Sequence, residues 1–171
     1  FYRVHMGIDK NIRRNTMSIE KVRDYLKQFN KENDIQEMDE STATVELAAL
    51  ALDTEEARIA KSLSFYDGDG AMVIVVAGDA KIDNRKFKDY FGFKARMLAP
   101  EETEKFTGHA IGGVCPFALP DNVKVYLDES MKRFETMFPA CGSGNSAIEL
   151  TLDELEETSK SNTWIDVCKN W

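Results

Sequence analysis

The 171-residue chain predicts an α+β domain with a mixed, largely antiparallel sheet, and three observations carry that expectation. Met72–Ala77 (MVIVVA) is an unbroken apolar run with turn signals at both ends, the pattern of a strand buried on both faces. Asp67–Gly70 (DGDG) alternates two residues that tolerate left-handed backbone angles. It therefore folds a strand at Ser62–Tyr66 back onto a strand at Ala71–Ala77. Elsewhere strand and helix patterns mix without the regular alternation of a parallel sheet, and no internal repeat or low-complexity linker interrupts them.

Phe1–Thr16 shows no periodicity and precedes a plausible start at Met17, so it reads as a peripheral or expression-derived extension to one domain over residues 17–171. Ser18 caps a helix whose stripe is Val22, Tyr25, Leu26 and Phe29, with Glu20 suiting its positive end; it stops near Asn33 and Asp34. A strand follows around Ile35–Met38. Thr44 is the next cap, with Glu46 in the first turn and Leu47, Ala48, Leu50 and Ala51 expected to pack inward. Thr54, followed by Glu55 and Glu56, opens a short helix whose end carries Lys61. Asp83 caps a helix through Phe87, Tyr90 and Phe91 that stops at Gly92. Phe93–Leu98 reads as a short strand, and Pro100 sits at a helix's first turn, where its missing N–H is harmless. Thr107–Pro120 is the least regular stretch. Val123–Leu127 alternates like a strand, Glu129–Phe138 reads as an amphipathic helix, and Pro139–Asn145 as a loop before a strand at Ser146–Leu150. Thr151 with Glu154 forms a capping box for the last helix, and Trp164–Val167 a closing edge strand.

The composition, 43% hydrophobic and 30% charged, is that of a globular domain with a real core. Its 22 basic and 30 acidic side chains give a net charge of −8, which excludes broad, sequence-independent nucleic-acid binding but leaves room for docking one phosphate-bearing end. No apolar run has transmembrane length and the first residues lack a signal peptide's apolar core, so a cytoplasmic location without a membrane partner is expected. Cys115, Cys141 and Cys168 are odd in number and form no CxxC, in keeping with a reducing compartment.

Conventional catalytic equipment is sparse. His5 and His109 are the only imidazoles, no His/Cys spacing suits zinc, and the GxSxG, GxxxxGK[ST] and GxGxxG signatures are missing, so no metal or cofactor is expected. Three features remain. Lys61 reads either as a solvated lysine at a helix end or as a fixed donor to a carboxyl, phosphate or ester oxygen. Gly112-Gly113-Val114-Cys115-Pro116 is either a surface turn or a loop whose glycines let a ligand approach the backbone, with N–H groups that polarise a carbonyl. Cys115 and His109 are either a buried thiol and an exposed imidazole or a thiol–imidazole pair.

Several segments together resemble the YbaK/prolyl-tRNA-synthetase-associated editing domain: TATVELAALAL (Thr42–Leu52), RIAKSLSF (Arg58–Phe65), VIVVAGD (Val73–Asp79), TGHAIGGVCPFAL (Thr107–Leu119) and VYLDES (Val125–Ser130). The likeness runs from about Met17 to at least Leu155 in the family's order. It implies a barrel-like sheet surrounded by helices, and a free-standing trans-editing deacylase that hydrolyses the ester of a mischarged tRNA. In this resemblance Lys61 is the key side chain. Gly112 acts with it in catalysis, and Gly113, Val114, Cys115, Pro116 and Phe117 continue the loop that holds the aminoacyl carbonyl and places water. The 2′-hydroxyl of the terminal adenosine assists. Thr44, Cys141, Asn145 and Ala147 complete the expected substrate site. Ala147 stands where the Cys-tRNA(Pro)-clearing branch has an aspartate, and Cys141 near the histidine of the alanine-clearing branch, so the misacylated amino acid stays open within a small class, on tRNA(Pro) or another tRNA.

The implied partner is the acceptor end of tRNA, met by Lys81, Arg85, Lys86, Lys88, Lys94 and Arg96 if that run is more than a solvated face, with a synthetase or elongation factor as a further partner. Two rivals stand beside the deacylase: a non-catalytic module that binds aminoacyl-tRNA or a synthetase, and a thiol hydrolase built on Cys115.

Overall fold

A computed structural model describes residues 18–171. The expected extension at residues 1–16, with Met17, lies outside the described residues. Helix α1 covers residues 18–26 and continues as a 3-10 turn at Lys27–Phe29, closed by Asn30 in the left-handed region. Val22 and Leu26 are fully buried, as the stripe required, but the Ser18 hydroxyl lies 2.9 Å from His109 Nδ1 rather than capping the helix. Strand β1 (Gln36–Glu37) is shorter than Ile35–Met38, because its pairing with a later strand spans only two residues.

Helix α2 (Val45–Leu52) starts at Thr44, whose side chain accepts from Leu47 N. Its buried face is not the expected one: Ala48 and Ala49 are buried with Val45 and Leu52 against them, while Leu47 and Leu50 are 42% and 79% exposed. VELAALAL is apolar almost all round, so periodicity does not select a face, and the sheet takes the side with small residues. Beyond it the expected helix at Thr54 shrinks to a 3-10 turn at Glu56–Arg58, and strand β2 (Ile59–Asp67) begins at once. Lys61 is therefore a strand residue, not a helix end. Pairing with β3 (Gly70–Ala77) captures Ala60 and Lys61 opposite Ala77 and Val76, which extends the strand past its local signal. The hairpin turns at Gly68, with φ 59, as the Asp/Gly alternation requires.

Strand β4 (Lys81–Ile82) leads into α3 (Asn84–Phe91), capped by Asp83 and ended by Gly92 at φ 82. Phe93–Leu98 makes only a bridge from Met97 to Phe65, not a strand. Helix α4 (Pro100–Thr107) has proline in its first turn. Strand β5 (Lys124–Asp128) follows the irregular stretch. The helix expected over Glu129–Phe138 is a 3-10 turn at Glu129–Arg133 followed by strand β6 (Thr136–Pro139), since Phe138 and Pro139 pair in parallel with Ile59 and Ala60. The expected strand at Ser146–Leu150 divides into β7 (Ser146–Ala147), which pairs with β1, and β8 (Leu150–Thr151), which pairs with β6. Thr151 and Glu154 form the capping box of α5 (Leu152–Ser159), and β9 (Trp164–Ile165) and β10 (Cys168–Lys169) end the chain.

The main sheet has the order β8-β6-β2-β3-β5-β9 and curls into a half-barrel, so the α+β, mixed-sheet expectation holds. Its long β2–β3 ladder is antiparallel, as are β6–β8, β1–β7 and β4–β10, while β2–β6, β3–β5 and β5–β9 are parallel. Met72 through Ala77 are completely buried, which fixes β3 as the centre on which the site's strand is laid.

Candidate functional site

The site lies on the outer edge of β2. One edge of that strand pairs with β3 from Ala60 to Asp67. The other carries β6 at Ile59 and Ala60, and then, among the described residues, no partner until the Ser64 carbonyl accepts from Leu98 N (3.0 Å) and Tyr66 N donates to the Arg96 carbonyl (2.9 Å). Alternation along the strand turns the Ser62 N–H and C=O toward the same edge as those of Ser64 and Tyr66, into the gap between the two partners. A cavity of about 420 Å³ occupies this gap, and Lys61, Thr44, Gly112, Val114 and Ala147 all line it. The strand and the glycine loop, 51 residues apart in sequence, thus meet at one cavity.

Lys61 is half-buried, and burial pushes its ammonium below the ordinary lysine pKa, opposed in part by the carboxylates of Asp79 and Glu46. Among the described residues it forms no ion pair. Asp79 is instead engaged by Arg133, whose guanidinium forks onto both carboxylate oxygens at 2.9 and 2.6 Å. That pairing holds the Asp79 carboxyl below its usual range and leaves the lysine without a close counter-ion.

The loop is shaped by two glycines with different constraints. Gly112 takes φ 89, a left-handed conformation costly for a side-chain-bearing residue. A Cβ on Gly113 would meet the Gly142 carbonyl at 2.6 Å, so the loop can pack against the Pro139–Asn145 segment only without a side chain there. The Gly113 N–H is spent on the Ala110 carbonyl (3.0 Å), whereas those of Gly112 and Val114, which line the cavity, make no backbone hydrogen bond among the described residues.

His109 anchors the loop from behind. It is fully buried, with Nε2 2.7 Å from the Phe117 carbonyl and Nδ1 2.9 Å from the Ser18 hydroxyl. A carbonyl only accepts, so the ring proton sits on Nε2 and Nδ1 accepts from Ser18. Cys115 Sγ is 3.5 Å from Nε2, a nitrogen already protonated and so no base for the thiol. Burial pushes the Cys115 thiol up to about 12 and lowers the His109 pKa. The two side chains do meet, and the imidazole is buried rather than exposed, but neither lines the cavity.

The remaining expected residues are dispersed. Phe117 and Cys141 are fully buried in the core, and Pro116 borders a different surface pocket, with Tyr25 and Lys124. Asn145 is exposed and exchanges hydrogen bonds with the Met38 main chain, tying its loop to the end of β1. Lys81, Arg85, Lys88, Lys94 and Arg96 are exposed, while Lys86 is held by Asp166 and the Cys168 carbonyl. Sequence reasoning missed Thr42, Ser62 and the apolar wall of Val45, Ala48, Ile59 and Phe138, all of which line the cavity. Ser62 had a signal, a small polar residue beside Lys61 in an apolar segment; Phe138 had none, because its strand read as a helix.

The family model described as Aminoacyl-tRNA editing domain matches residues 39–158. An uncharacterised Bacillus subtilis protein, YwhH, is 60% identical over 91% of this chain and 99% of its own length. A protein of Enterococcus faecalis, provisionally named Cys-tRNA(Pro)/Cys-tRNA(Cys) deacylase EbsC, is 28% identical over 65% of this chain and 69% of its own. The proline–tRNA ligase of Thermosipho melanesiensis is 36% identical over 52% of this chain, which is 16% of the ligase. A crystal structure provisionally described as a trans-editing enzyme for prolyl tRNA synthetase superposes with a TM-score of 0.80 at 29% identity, covering 89% of this chain and 97% of the other. Among the described residues no helix is long and apolar enough to cross a membrane.

Proposed function

This chain belongs to the aminoacyl-tRNA editing domain family, and from that premise we propose that it hydrolyses the ester joining a small amino acid to a mischarged tRNA. The observation that carries the reading is the convergence of Lys61 and the Gly112–Val114 loop on one cavity. Ester hydrolysis by water needs a held carbonyl, a stabilised oxyanion and a placed nucleophile, and requires no covalent enzyme intermediate. The unengaged N–H groups of Gly112 and Val114 suit the carbonyl oxygen, and the cation of Lys61 suits the negative charge that develops on it or on the adjoining phosphate. The 2′-hydroxyl of the terminal adenosine lies beside the ester in any such substrate and helps place the water.

Cavity size supports a small amino acid, since about 420 Å³ must also admit the ester and part of the ribose. The substrate so proposed makes the acceptor end of tRNA the partner, with the deacylase acting apart from a synthetase. The test is a deacylation screen of alanyl-, seryl-, cysteinyl- and threonyl-tRNAs with the purified protein. Clearance of at least one species well above spontaneous hydrolysis is expected. Binding of aminoacyl-tRNA with no clearance of any species would instead identify a non-catalytic module.

A further inference from the structure

We propose that the surface from Tyr90 to Met97 receives the unpaired 3′ end of the RNA, with bases stacked on Phe93 and Tyr90 and phosphates met by Lys94 and Arg96. Residues 81–98 hold six cations, Lys81, Arg85, Lys86, Lys88, Lys94 and Arg96, against two carboxylates, Asp83 and Asp89, in a chain of net charge −8. Asp83 is spent on capping α3 and Lys86 on Asp166, whereas Lys81, Arg85, Lys88, Lys94 and Arg96 form no ion pair among the described residues. Phosphates are therefore drawn to this face of a molecule that repels them elsewhere. Exposed rings stand among these cations, Tyr90 at 52% and Phe93 at 37%. Both rest on Phe91, with ring centroids 4.8 and 5.9 Å away, and Phe93 also lies 6.0 Å from Phe87. Phe87 is fully buried and packs on Phe65 at 5.2 Å, so the platform is fixed before a ligand arrives and stacking costs little side-chain entropy. Rings interleaved with cations suit unpaired nucleotides, because every free base offers a face and every linkage a charge, whereas duplexed bases are already stacked. The same segment leads into the cavity. Arg96 and Leu98 are pinned to the edge of β2 by the Tyr66 and Ser64 main chains, and the Arg96 guanidinium lies 4.5 Å over the Tyr66 ring. Met97, between them, is 57% exposed and lines the cavity. Four residues separate it from Phe93, a span of at most about 14 Å, so a strand whose terminal ester lies beside Lys61 has its preceding nucleotides within reach of the platform.

The inference rests on the deacylase reading for the identity of the RNA, but its test requires no hydrolysis. Fluorescence anisotropy is read for an RNA hairpin with a 3′ ACCA overhang and for the same hairpin ended blunt, with thermal unfolding as a check on folding. The proteins are the wild type, Tyr90→Leu, Phe93→Leu, the ring-retaining Phe93→Tyr, and Lys94→Gln. Leucine keeps apolar bulk against Phe87 and Phe91 while removing the stacking face. The wild type is expected to bind the overhang at least about tenfold more tightly than the blunt hairpin. Each leucine variant should shrink that preference by about fivefold or more, and Phe93→Tyr should preserve it. Lys94→Gln should weaken overhang binding and lower the slope of log affinity against log salt by about 0.7. Equal binding of the two hairpins, no binding of either, or an overhang preference untouched in both leucine variants would overturn the proposal. Loss of self-association in Phe93→Leu with RNA binding unchanged would overturn it too, by assigning the surface to a second copy of the chain. Overhang binding that depends on the rings upholds the platform even if no charged tRNA is cleared, in which case the hydrolytic reading alone fails.

Discussion

Lys61 combines half-burial with the lack of an ion-pair partner among the described residues, a state that burial makes unfavourable for an ammonium unless a ligand supplies the counter-charge. Truncation to alanine removes a desolvated charge from a strand edge. Lys61→Ala should therefore unfold at or slightly above the wild-type temperature while losing about 100-fold or more in deacylation rate. The lowered pKa has a further consequence. If the cation acts, the enhancement over spontaneous ester hydrolysis declines as pH rises through that value, earlier than for an ordinary lysine, and a pH series of single-turnover rates checks it. Cys115 gives the opposite expectation: its thiol is buried and pushed up to about 12, so Cys115→Ser should retain most activity per folded molecule, whereas a thiol hydrolase would lose it. At this scale the chemistry was legible only in part. Lys61 and Gly112 stand out in a chain without the usual catalytic motifs, but the inward or outward aim of Cys115, Phe117 and Cys141 depends on packing that no local pattern encodes.

The element that most needs support is the glycine loop, which has no regular structure and leans on His109 behind and the Gly142 backbone beside it. Gly113→Ala forces its Cβ onto that backbone and should lower both thermal stability and activity, with melting and rate measurements reading the two effects. His109 makes the loop's anchoring pH-sensitive. Burial holds its folded-state pKa below the unfolded value of about 6.5, so the unfolded chain takes up the proton first. The stability from neutral His109 is therefore complete above about pH 6.5 and is lost as pH falls through that value toward the folded pKa. Denaturant unfolding across this range should show a steeper acid loss for the wild type than for His109→Gln. The Thr151–Glu154 capping box serves as a contrast, since Thr151→Ala should cost about 1 kcal/mol of stability and leave the site's chemistry intact. Three of the five expected caps, Thr44, Asp83 and Thr151, bond as their spacing required, whereas Ser18 turns to His109 and the turn after Thr54 starts at Glu55 without a side-chain cap. Strand β6 was not legible, because Thr136–Pro139 is strand by virtue of partners at Ile59 and Leu150 rather than by its own periodicity.

For the whole molecule, the half-barrel explains why a lysine and a loop so distant in sequence share one cavity: β2 is held by β3 on one side and left open along three residues on the other. The class of fold could be read from MVIVVA and DGDG, but the strand order could not, because three of the seven pairings are parallel and rest on contacts distant in sequence. Net charge also acts at this scale. On the proposed reading, a domain at −8 would meet tRNA through a local basic face, so binding should weaken with added salt less steeply than for proteins that wrap the nucleic-acid backbone, as a salt titration would read. The most direct test of the central claim compares wild type and Lys61→Ala in single-turnover hydrolysis of the mischarged tRNA that the wild type clears fastest. The account predicts clearance far above background for the wild type and near-background rates for a variant that is still folded. Equal rates for the two proteins would contradict it.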